Sequence, residues 1–180
     1  IRGDARDERV VAELVKDADI VIPLAAYVGA PLCKEDPIGA TTTNRDAQFM
    51  LIDKLGKDQH LLVPITNSGY GVGEEGRLCT EETPMRPLSL YGKHKVEVEG
   101  KALERQNSVS FRLATVFGMA PRMRLDLLVN DFTYRAVNDR TVVLFESHFK
   151  RNYIHVRDVT KAFLHGIDNF QEMRSRAYNV

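Results

Sequence analysis

The chain has 180 residues, 43% of them hydrophobic, enough for one domain with a sizeable buried core. Its 25 basic and 25 acidic residues cancel, which argues against nucleic acid as a partner. No apolar run reaches the ~18 residues a membrane helix needs, no signal peptide is visible, and Cys33 and Cys79 lack a metal-ligand spacing and read as reduced thiols of a cytoplasmic protein.

The first expected element is a helix over residues 7–17, where Val10, Val11, Leu14 and Val15 recur at helical spacing. Residues 18–26 are an apolar run interrupted by Asp19 and Pro23 and predict a buried strand. Asp36-Pro37 opens a helical pattern that reaches about Lys57. Residues 60–66 (HLLVPIT) predict a second buried strand, and a loop rich in Gly, Glu and Pro follows over 69–87. Beyond it the pattern predicts a helix over 88–105, a strand over 108–114 and a helix over 125–137. A strand over 141–145, a helix over 158–169 and the start of a strand at 177–180 complete it. Strands alternating with helices indicate an α/β fold with a doubly wound, mostly parallel sheet. Ligands of such sheets sit beyond the carboxyl ends of the strands, so the residues after each strand are where chemistry is expected.

Tyr91 and Lys95 lie four residues apart in the 88–105 helix, hence on one face. An ammonium beside a phenol favours the phenolate and lowers a pKa that starts near ~10, which makes tyrosine a usable general base. The lysine's other N–H donors can reach a ribose hydroxyl. After the first strand, Leu24, Ala25 and Ala26 lead into Tyr27, small enough for a flat ligand to approach the backbone. After the second, Thr66, Asn67 and Ser68 put hydroxyls and an amide at the sheet edge. The string Gly71-Val72-Gly73-Glu74-Glu75-Gly76 matches G-x-G-x-x-G, yet Pro84 and Pro87 follow and its two glutamates would repel a pyrophosphate. It reads as a substrate-side loop.

The order of these motifs resembles the extended short-chain dehydrogenase/reductase superfamily, in its NAD-dependent nucleotide-sugar epimerase/dehydratase group. The resemblance runs from Gly3-Asp4-Ala5-Arg6-Asp7 through Leu24-Ala25-Ala26, Asn44 and Thr66 to Gly71. It continues through Glu81-Glu82-Thr83-Pro84 and the YxxxK core at Tyr91. Arg112 to Gly118 and Arg151 to Val159 complete it. It implies a Rossmann-like fold, N-terminally truncated, with part of a small C-terminal substrate-binding region. Residues 1–120 would form the partial cofactor domain with the catalytic helix, and 121–180 a mixed region. It implies Tyr91 as acid/base, Lys95 as its partner and ribose holder, and Thr66 as the catalytic hydroxyl. Asp4, Ala5, Leu24, Ala25, Ala26, Asn44 and Ala114 would line the cofactor with Tyr91 and Lys95. Asn67, Ser68, Thr115 and Arg151 would meet the substrate. The implied cofactor is NAD, with NADP as the alternative, and no metal is implied. The implied partners are a nucleotide sugar and a second copy, paired through the 36–57 and 88–105 helices.

The implied reaction is UDP-glucose 4-epimerase-like: a transient keto-sugar takes its hydride back on the other face. A 4,6-dehydratase, decarboxylase or reductase on the same scaffold is the alternative, and a non-catalytic cofactor sensor a second. Asn67 and Ser68 stand where family 4,6-dehydratases place Asp and Glu, which favours epimerisation. Pro23 stands where the family often has histidine. The family's glycine-rich phosphate loop does not precede Gly3. The expectation is a fragment lacking roughly 50–60 residues ahead of Ile1, at ~30 or fewer per strand–helix unit, and the family's C-terminal end, that binds NAD weakly or not at all by itself.

Overall fold

The computed structural model describes residues 1–73, 76–145 and 147–180. Its strands are β1 (Ile20–Val21), β2 (His60–Thr66), β3 (Ser108–Leu113), β4 (Thr115–Phe117), β5 (Tyr153–His155) and β6 (Arg176–Asn179). Its α-helices are α1 (Glu8–Lys16), α2 (Ala30–Glu35), α3 (Pro37–Thr41), α4 (Ala47–Lys54), α5 (Leu90–Leu103), α6 (Leu128–Asn138), α7 (Val156–Asp168) and α8 (Phe170–Met173). The main sheet is parallel, in the order β1-β2-β3-β6. A second, two-stranded parallel sheet pairs Thr115 with Tyr153 and Phe117 with His155.

The alternation along β2 builds both faces of the core. Leu61, Val63 and Ile65 join Val11, Val15, Ile52, Val98 and Ala102 from α1, α4 and α5. Leu62 points the other way, with Val109 and Phe111 of β3, toward Phe163 and Ile167 of α7 and Phe170 of α8. Helices therefore cover both faces, which is the doubly wound arrangement expected. Pro64 sits inside this central strand without harm. The β1 ladder ends at Val21 opposite Leu61, so no rung on that side needs the N–H that proline lacks.

Several boundaries shift for physical reasons. The 18–26 run pairs only at Ile20 and Val21, after which Pro23 cannot donate and the chain leaves the ladder. The 36–57 pattern is one helical path, but α3 and α4 meet through a π-turn at Thr42–Asp46. Thr41 and Thr42 bond their hydroxyls back to the Pro37 and Ile38 carbonyls at 2.8 and 3.0 Å, a habit that bends helices. The strand expected at 141–145 does not form. Phe145 is 86% exposed and the run has neither a ladder partner nor a face to bury. The short elements α2, α8, β4 and β5 leave no separate signal in the sequence.

Candidate active site at the carboxyl edge of the sheet

Ser89 caps α5, accepting the Gly92 N–H at 3.0 Å, so the helix begins one residue before Tyr91. Its first turn lies against the 3₁₀ turn Asn67–Tyr70 that follows β2. A Cβ added at Gly92 would stand 3.3 Å from the Ser68 carbonyl oxygen, and one at Gly69 2.9 Å from Val96. This close approach brings Tyr91 and Lys95 to the Thr66 strand end. Thr66 is buried, and its hydroxyl accepts the Ser68 N–H at 3.2 Å.

Lys95 is buried, and its ammonium donates to the Pro64 carbonyl at 2.8 Å. Burial brings its pKa down to about 8. Burial pushes Tyr91 up to about 12; Cys33 adds to the rise, and only the Arg124 charge opposes it. The expectation that Lys95 lowers the Tyr91 pKa is therefore corrected. The two share a helix face, but the Lys95 ammonium donates to the Pro64 carbonyl rather than to the phenol, and burial dominates Tyr91.

Asn67, Asn152 and Thr115 are tied together beyond β2 and β3. Asn67 bonds through its side-chain amide to Asn152, and the Asn152 carbonyl accepts the Thr115 N–H at 3.2 Å. Arg151, next in the chain, is exposed there, as is Ser68 at the turn. Ala114 is buried where β3 gives way to β4, its N–H bonded to the Val180 carbonyl at 2.6 Å.

On the other side, a cleft of about 490 Å³ is lined by Asp4, Ala5, Arg6, Ala25, Tyr27 and Thr43. The Arg6 guanidinium grips the Asp4 carboxylate at 2.6 Å and, chiefly through that hydrogen bond, holds its carboxyl down at about 2. Leu24 is 72% exposed at the strand end and Ala26 half-buried.

Asn44 requires a second correction: it does not line the cleft. It is 1% exposed, its Oδ1 accepts the Tyr27 N–H at 2.7 Å and its Nδ2 donates to the Tyr27 carbonyl at 2.8 Å. It clamps the backbone that carries Leu24 to Ala26 and offers nothing outward. Gln48, one turn later, does the same for Ala25, donating to its carbonyl at 3.1 Å. The i, i+4 spacing of these two amides was the overlooked signal.

The donor set suits a dinucleotide's ribose end. Lys95 has three N–H donors and uses one on Pro64. The small Ala25 and Ala26 leave the strand end open. Among the described residues of the G-x-G-x-x-G stretch and the loop after it, none offers a pyrophosphate seat: Gly71 and Gly73 follow the 3₁₀ turn and residues 76–88 contain no helix, while Glu74 and Glu75 lie outside the described residues.

Comparison with known proteins bears on the family and the fold. A family model described as the NAD dependent epimerase/dehydratase family matches residues 1–180. The low-salt glycan biosynthesis protein Agl12 of Haloferax volcanii is 28% identical over 167 residues, 88% of this chain and 53% of that protein. A probable UDP-glucuronate 4-epimerase of Rhizobium meliloti is 26% identical over 161 residues, 85% of this chain and 46% of that one. The chain thus spans about half the length of the curated relatives it matches. The UDP-glucuronic acid 4-epimerase of Bacillus cereus, solved with UDP-glucuronic acid and NAD, superposes with a TM-score of 0.83 at 23% identity. That match covers 100% of this chain and 59% of the other. No described helix is long and apolar enough to cross a membrane.

Proposed function

Because the chain belongs to the NAD dependent epimerase/dehydratase family, we propose that the intact protein epimerises a nucleotide sugar through a transient keto-sugar, with Tyr91 as acid/base. The observation that carries this reading is the packing of the Tyr91 turn of α5 onto the turn that follows Thr66. NAD, when bound, supplies the hydride acceptor and donor; NADP is the alternative cofactor. Lys95 holds the nicotinamide ribose with the N–H donors that Pro64 leaves free. Asp4 and Ala5 meet the adenine, and Leu24, Ala25, Ala26 and Ala114 line the cofactor's path. Thr66 orients the reacting hydroxyl, and Tyr91 takes its proton and later returns it. Asn67, Ser68, Thr115 and Arg151 hold the nucleotide sugar. Residues 1–120 act as part of the cofactor domain, and 121–180 contribute to the substrate side.

With its phenol pushed up to about 12, Tyr91 is protonated at neutral pH before ligands bind. Its work as a base therefore depends on positive charge arriving with them, and Arg124 is the charge already placed to favour the phenolate. The second reading is 4,6-dehydration, decarboxylation or reduction on the same frame. Asn67 counts against dehydration, since its amide is engaged by Asn152 and it has no acid to help water leave. A non-catalytic cofactor sensor is the third reading, and it gives no reason to bury Lys95 beside the Thr66 turn.

The protein is proposed to work in the cytoplasm, in keeping with two free cysteines. It is proposed to pair as a homodimer through the 36–57 and 88–105 helices, as the family resemblance implies.

Tyr91→Phe in the intact protein tests the assignment. With NAD and either UDP-glucose or UDP-glucuronate, kcat should fall by roughly 10²–10⁴, the usual contribution of a general acid/base. Undiminished turnover contradicts it.

A further inference from the structure

A polar chain runs from buried residues of α5 and β3 to the exposed end of the last strand of the sheet, through residues that have no part in the proposed chemistry. Glu99 follows Lys95 by four residues and Tyr91 by eight, on the same face of α5. Its carboxylate accepts Arg112 Nη2 at 2.6 Å and Arg112 Nε at 3.1 and 3.0 Å. It also accepts the Ser110 hydroxyl at 2.6 Å. Arg112 Nη1 donates to the Tyr70 hydroxyl at 2.8 Å and to the Glu81 carbonyl at 2.9 Å. The Tyr70 hydroxyl donates to Asn179 Oδ1 at 2.7 Å, and the Asn179 N–H donates to Glu81 Oε1 at 2.7 Å. Asn179 Nδ2 reaches the Cys79 carbonyl at 3.4 Å.

These bonds join five segments: α5, β3, the turn after Thr66, residues 79–81 of the following loop, and β6. Glu99 and Arg112 are 4% and 7% exposed. Burial disfavours the arginine's charge, but Glu99 and Tyr70 outweigh it and hold the guanidinium protonated. A buried ion pair is weak evidence for stability, because an apolar pair of similar volume often serves as well. What this set supplies is direction. A planar guanidinium with a two-point grip on Glu99 has its remaining N–H aimed at Tyr70 and Glu81. The returning limb of the loop is held too, since the Arg86 N–H donates to the Gly69 carbonyl at 2.9 Å.

We propose that Tyr70, Glu99, Arg112 and Asn179 are positioning residues that latch loop residues 79–81 to β6 and to the helix bearing Tyr91 and Lys95. The latch fixes the wall beside the Thr66 turn, where the sugar is proposed to lie. Its effect on turnover rests on the reaction proposed above; its effect on the loop does not.

Tyr70→Phe is the informative variant, because it deletes one hydroxyl and leaves the Glu99–Arg112 pair intact. In the intact protein, hydrogen exchange of peptides covering 76–88 and 176–180 should quicken about tenfold, the size of one lost hydrogen bond, while α1 peptides are unchanged. With NAD and UDP-glucuronate, KM should rise about tenfold after normalising to folded protein, a change that mere loss of stability leaves out. Unchanged exchange at 79–81, or faster exchange with unchanged KM, overturns the proposal. If the wild-type protein turns over neither UDP-glucuronate nor UDP-glucose, the reaction proposed above fails and exchange alone decides the latch.

Discussion

Lys95 carries its charge where burial works against it, with the Pro64 carbonyl as its protein hydrogen-bond partner. The unfolded lysine keeps its proton to about 10.5, whereas the native one releases it near 8. Between pH 8 and 10 the unfolded chain thus binds more protons, and this group's contribution to stability rises with pH by about 2 kcal/mol. Above pH 10 Tyr91, native pKa about 12, acts with the opposite sign, since the native state then holds the extra proton. Denaturant titrations of wild type and Lys95→Met at pH 8 and 10 check the first effect. The wild type should gain on the variant as pH rises, and a constant difference contradicts the burial argument. The placement of Tyr91 and Lys95 on one helix and of Thr66 at a strand end was legible, because helical spacing and strand ends are written in the chain. The direction of the Tyr91 shift was not, because it depends on how much solvent the folded chain removes.

At the scale of elements, α7 packs closely on β3 at Gly166 and at Phe163. A Cβ at Gly166 would stand 2.6 Å from Phe111 Cζ and 3.3 Å from Leu62, inside the second core cluster. Gly166→Ala should destabilise the protein by about 1–3 kcal/mol through overpacking, visible as a lower denaturation midpoint with the slope unchanged. A neutral or stabilising change would mean that α7 slides freely on the sheet. The long elements were readable because their apolar periods are long: α1, α5, α7, β2 and β3 fall within a few residues of expectation. The failures share one cause. Residues 141–145 have strand-like side chains but no neighbour to pair with, while β4 and β5 form because Thr115–Phe117 meets Tyr153–His155 across the fold. Pairing partners distant in sequence leave no local trace. The π-turn at Thr42–Asp46 is likewise set by two threonine hydroxyls and by the grip of Asn44 on Tyr27.

Over the whole molecule, the sheet gathers two sets of residues at its carboxyl edge. Asp4, Ala5 and Ala25 line a cleft on the β1 side. Asn67, Thr115 and Asn152 are tied together beyond β2 and β3, with Arg151 adjoining. Tyr91 and Lys95 enter from α5, whose first turn lies against the turn after Thr66. That division matches a reaction in which one ligand is a dinucleotide and the other a sugar carried on a nucleotide. In the proposed epimerisation the hydride leaves the sugar and returns to the same carbon. UDP-glucuronate deuterated at C4, incubated with the intact protein and NAD and followed by NMR, tests it most directly. The expected product is inverted at C4 and retains the deuterium; release of carbon dioxide, or a product that has lost the label, contradicts epimerisation.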